Sequence, residues 1–93
     1  MISVIQDEST DPMVFNVTIE EQDGKTQHRV TMSDETYKHL FSQSYDPKAC
    51  IDASFRFLLE REPKESILSS FDITVISQYF PDFAQQISSY LDQ

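Results

Sequence analysis

The segment MVFNVTIEEQDGKTQHRVTM, residues 13–32, decides the fold. Two runs rich in β-branched and aromatic residues flank Asp23-Gly24. Asp-Gly favours a two-residue hairpin turn, because such a turn needs positive φ at both central positions. With the turn at 23–24, Val17 faces Val30, Phe15 faces Met32 and Ile19 faces His28, so that one face of the ribbon is mostly apolar. The segment therefore predicts an antiparallel β-hairpin with one buried and one solvated face.

The rest of the chain predicts four or five short helices packed on this hairpin. Ser33 is suited to cap the first helix and Asp46 the second, while Pro63 ends the second. Residues 72–80 have the β-branched content of a strand but the apolar spacing of a helix, and we expect a helix. The predicted helices cover about 34–43, 47–62, 64–71, 72–80 and 82–91.

The length of 93 residues suits one domain. Residues 1–12 predict a flexible acidic arm, with a short extra strand through Ile2, Val4 and Ile5 as the alternative. Residues 13–93 then form a single α+β domain, in which the hairpin precedes the helices.

The charge of the chain restricts its partners. Its net charge is −9, and the first 24 residues contain six acids and no lysine or arginine. An acidic surface repels phosphate backbones and lipid headgroups, and it attracts basic proteins. No apolar run approaches the roughly 20 residues that span a bilayer, and the N-terminus lacks the pattern of a signal peptide. We therefore expect a cytoplasmic protein that binds neither membranes nor nucleic acid.

The sequence offers little for catalysis or metal binding. His28 and His39 lie in different elements, and Cys50 is the only cysteine. No metal-ligand spacing or nucleophile motif is present, and one glycine, Gly24, cannot form a phosphate-binding loop. We predict a non-catalytic protein without a cofactor.

Aromatic residues are crowded into the later helices, which predicts a binding surface. A small core encloses few rings, so a surplus is expected to face a partner; the alternative is that all of these rings belong to the core. The partner is either another protein, basic in character, or a second copy in a homodimer. The residues predicted to face it are Phe57, Tyr79, Phe80, Phe83 and Tyr90. This interpretation makes the protein a protein-binding or regulatory module.

Residues 27–62 resemble the ribbon-helix-helix family in their order of strand, helix and helix, with caps at Ser33 and Asp46. The resemblance implies a two-fold dimer that binds DNA through its paired strands, as in a regulator of the antitoxin type. The chain departs from that family because its strand already has a hairpin partner and its surface is not basic. DNA binding is therefore the alternative hypothesis. The side chains implied to face DNA are Gln27, Arg29 and Thr31.

The C-terminal half is similar to a group of small bacterial proteins. The resemblance rests on the run Arg61-Glu62-Pro63-Lys64-Glu65-Ser66-Ile67, then on Phe71-Asp72-Ile73 and Tyr79-Phe80-Pro81. It implies a bacterial source and a helical second half, and it implies no activity or functional residue.

Overall fold

A computed structural model of the protein describes residues 1–42 and 44–92, and it contains the predicted hairpin. Strand β2 (Met13–Glu21) pairs antiparallel with strand β3 (Gly24–Met32). One face of this ribbon is buried, as the alternation predicts. Its buried side chains are Met13, Phe15, Val17, Ile19, His28, Val30 and Met32.

The hairpin turn begins one residue earlier than predicted. Its loop residues are Gln22 and Asp23, and Gly24 already belongs to β3, with a φ of 136°. The predicted Asp-Gly turn is therefore wrong, and each pair shifts by two residues, so that Val17 faces His28. A two-residue shift leaves every side chain on its own face, so apolar alternation cannot distinguish the two registers.

The N-terminal residues predicted as a flexible arm include a strand. Strand β1 (Ile2–Glu8) pairs antiparallel with β2 along one edge of the sheet. Ile2 and Val4 pack against the core, while Ile5 on the opposite face is exposed. Over residues 2–8 the prediction of a flexible arm is therefore wrong, and the alternative prediction of an extra strand is confirmed.

A fourth strand replaces the helix predicted over 64–71. The segment begins with a 3₁₀ turn (Lys64–Ser66) and continues into strand β4 (Ser70–Asp72), which runs parallel to β3. Backbone hydrogen bonds from β3 fix it, including one from Arg29 N to Ser69 O at 2.8 Å. These tertiary bonds outweigh the helical spacing of the segment. The sheet is therefore mixed, with the order β1-β2-β3-β4.

The remaining predicted helices are present, with shorter bounds. Helix α1 (Asp34–Phe41) starts at Ser33, whose Oγ accepts from Thr36 N at 3.1 Å, and the predicted extension to Gln43 lies outside the described residues. Helix α2 (Pro47–Leu59) starts at Asp46, as predicted, but ends three residues before residue 62.

The last two helices settle the ambiguous segment. Helix α3 (Val75–Tyr79) occupies most of residues 72–80, although Asp72 itself ends β4. Helix α4 (Phe83–Leu91) matches its predicted range.

The helices cover the inner face of the sheet and enclose one core. Helix α2 contributes Cys50, Ile51, Ala53, Phe55, Phe57 and Leu58 to it. No helix in the described part of the chain has the length and apolar character needed to cross a membrane.

Candidate partner-binding groove

The five aromatic residues predicted to face a partner separate into two groups. Phe57, Phe83 and Tyr90 are buried, so for these three the prediction is wrong. The Phe57 ring packs edge-on against Phe83 at 5.0 Å and Tyr90 at 5.8 Å between centroids, which is the geometry of a core cluster. Tyr79, by contrast, is 67% exposed, and Phe80 is half-buried.

Tyr79 and Phe80 lie on a groove between the end of α2, the segment 66–71 and α3, which we call the α2–α3 groove. The groove has a volume of about 210 Å³. Among the described residues only four large apolar side chains are well exposed, and two of them, Tyr79 and the 46% exposed Leu68, line it. Its other apolar walls are Leu58, Ile67, Phe71, Val75 and Ile76.

Leu68 is held at the rim of the groove by strand β3. The buried His28 ring lies with its Nδ1 2.7 Å from the carbonyl oxygen of Leu68 and its Nε2 2.8 Å from Thr26 Oγ1. Because a carbonyl can only accept, Nδ1 carries a proton and donates it to Leu68. The ring also packs on Phe55, with 5.5 Å between the centroids. This anchors the backbone of Leu68 while its side chain stays exposed.

Lys64 anchors the other end of the same segment. Its side chain is 1% exposed, and its Nζ donates to Asp23 at 2.6 Å, Glu65 at 2.9 Å and Glu21 at 3.0 Å. The hydrogen bond to Asp23 is the main cause that raises the pKa of Lys64, which stays charged. Since Glu21 ends β2 and Asp23 lies in the hairpin turn, the ammonium joins that turn to the 3₁₀ turn beside the groove.

Glu62 is the one acid among the described residues that line the groove. Its side chain is half-buried, and burial raises the pKa of its carboxyl group. Sequence reasoning missed both Glu62 and Leu68 as functional candidates. An acid between two bases resembles a solvated charge run, and Leu68 lies in the segment 64–71, where the predicted helix does not form.

The residues implied to face DNA lie on the outer face of the sheet. Arg29 Nη1 donates to Asp7 Oδ2 at 3.3 Å and to Asn16 Oδ1 at 3.2 Å. Thr31 Oγ1 donates to Asp72 Oδ1 at 2.6 Å, and Gln27 is exposed. Arg29 and Thr31 are thus already engaged with carboxylates, which would repel a phosphate backbone.

The described residues contain no cluster of three or more histidine, cysteine or acidic side chains arranged to hold a metal ion. Burial raises the pKa of Cys50 to about 12, so its thiolate is scarce at neutral pH. His39 is exposed on α1 and His28 is buried on β3, and neither forms part of the α2–α3 groove.

Comparison of the chain with protein-family models, curated proteins and solved structures gives no match.

Proposed function

We propose that this protein is a non-catalytic module that binds a protein partner through the α2–α3 groove. The observation that carries the proposal is the exposure of Leu68 and Tyr79 on one apolar concavity. Large apolar side chains that stay exposed together on a small protein are characteristic of interaction sites.

The size of the groove favours a partner's side chain over a small-molecule ligand. Sites for drug-sized ligands usually enclose about 300–1,000 Å³, whereas this groove has about 210 Å³. It has room for one or two anchor side chains, which is how the centre of a protein interface is commonly built.

A different protein is a better occupant than a second copy of this chain. Two copies that each carry a net charge of −9 repel one another, so a homodimer would form against electrostatic repulsion. The DNA-binding alternative receives no support from the outer sheet face, since Arg29 and Thr31 already contact Asp7 and Asp72. An electrophoretic shift of duplex DNA at low salt would revive that alternative.

Site-directed photo-cross-linking tests the proposal. A photoreactive phenylalanine analogue at Tyr79 should give discrete adducts in extract of the native host. The same analogue at Gln27, exposed on the outer face of the sheet, is the matched control and should not give these adducts. Leu68→Ser should remove the Tyr79 adducts. Identical adducts from both positions, or adducts unaffected by Leu68→Ser, would contradict the proposal.

A further inference from the structure

Glu62 gives the α2–α3 groove a chemical preference. It places one carboxylate among walls that are otherwise mostly apolar. A carboxylate in such a place loses hydration, and an unpaired one destabilises the protein that contains it. Pairing with a cation would replace the favourable interactions with water that the carboxylate loses on burial.

The two basic residues next to Glu62 do not supply that cation. The guanidinium of Arg61 lies 3.6 Å from the centroid of the Phe57 ring, donates to Tyr90 Oη at 3.2 Å, and approaches Asp82 Oδ2 at 3.7 Å. The buried ammonium of Lys64 is already paired with the carboxylates of Asp23, Glu65 and Glu21. In the described part of the chain, the Glu62 carboxylate has no hydrogen bond or ion pair.

We propose that the groove takes a basic segment of the partner protein, in which a lysine or arginine pairs with Glu62 while a neighbouring apolar side chain packs between Leu68 and Tyr79. This inference rests on the proposed function of the groove and names the chemistry of its occupant. The aliphatic stem of a lysine or arginine suits apolar walls, and its charged head suits the carboxylate.

The charge of the whole chain supports the same occupant. A net charge of −9 attracts a basic segment over distances of about a Debye length and accelerates its association. It would repel an acidic segment equally. Binding is therefore expected to weaken as salt is added.

The test uses two small probes of equal shape that differ in charge. Uniformly ¹⁵N-labelled protein is titrated with 2-phenylethylammonium and with neutral 2-phenylethanol, and amide shifts are followed in two-dimensional NMR spectra. We expect both probes to shift groove amides, including those of Leu68 and Tyr79, and the ammonium to bind about tenfold more tightly at low salt. Glu62→Gln should abolish that preference. Glu8→Gln, which removes the same charge from an exposed strand end, should retain it.

The possible outcomes separate the inference from the function on which it rests. If both probes shift the groove amides with equal affinity in the wild type, the preference for a cation is refuted while the groove remains a binding site. If neither probe shifts those amides, the groove itself is refuted as a binding site. A preference that survives Glu62→Gln would also overturn the inference, because the selecting charge would then lie elsewhere.

Discussion

Replacement of Glu62 by glutamine is predicted to stabilise the free protein. The substitution keeps the shape of the side chain and removes its charge. That charge is half-buried, has no partner among the described residues, and lies just beyond the C-terminal end of α2, where the helix dipole disfavours an anion. A binding residue is expected to be unfavourable in the free state in this way, because its partner supplies the missing interaction.

The expected gain follows from burial. Burial costs an ionised carboxylate more than the neutral amide of glutamine, and partial exposure of Glu62 to solvent keeps that difference small. Glu62→Gln should therefore raise the free energy of unfolding by about 1 kcal/mol at neutral pH. For a chain of this length, that corresponds to a rise in Tm of about 4–8 °C.

The dependence on pH distinguishes the cause. Burial raises the native-state pKa of Glu62 above its ordinary value of 4.5, so the native protein holds this proton more tightly than the unfolded chain does. The penalty is absent below that ordinary value, grows as pH rises through the raised pKa, and is constant above it. Thermal unfolding of wild type and Glu62→Gln, followed by circular dichroism between pH 4 and 7, should thus diverge with rising pH. Glu8→Gln controls for the change in net charge. A Tm gain no larger than that of Glu8→Gln would refute the reasoning.

Three further predictions concern the anchors and the core. Lys64→Met should lower the Tm at neutral pH, because the ammonium pairs with three carboxylates. Lys64 lowers the pKa values of Asp23 and Glu65, so the Tm difference from wild type should shrink as pH falls through these lowered values; melts taken in steps downward from pH 7 measure this. Phe57→Ala should destabilise the protein by about 3–5 kcal/mol, whereas Tyr79→Ala should change its stability by about 0.5 kcal/mol or less. If urea unfolding ranked the two variants in the opposite order, the assignment of Phe57 to the core and Tyr79 to the surface would be contradicted. Cys50 should react with a thiol reagent at pH 8 about a thousandfold more slowly than a free cysteine until urea unfolds the protein, because its pKa is about 12.

The sequence predicts those parts of the fold that local patterns determine. Alternation from Met13 to Met32 identifies the hairpin and its buried face, and the caps at Ser33 and Asp46 place the starts of α1 and α2. The turn could not be placed, because a shift of two residues leaves the apolar pattern unchanged. Strand β4 has three residues and exists only because β3 offers it an edge, which no local pattern describes.

The candidate site was harder to predict, because it depends on which face of each element is covered. Aromatic spacing indicated a binding surface in the later helices, but it could not separate the buried Phe57 from the exposed Tyr79. Within the stretch from Arg61 to Glu65, four charged residues look alike in sequence. The tertiary structure buries Lys64 among its carboxylate partners. It places Glu62 in the groove as the one acid among the described residues that line it.

The most direct measurement for this account is the titration of the Glu62 side-chain carboxyl carbon by NMR, in the free protein and with 2-phenylethylammonium at saturation. An unpaired carboxylate in an apolar groove should titrate above 4.5 in the free protein, and its midpoint should fall when the cation binds. A midpoint at or below 4.5 in the free protein, unchanged by the cation, would contradict the account.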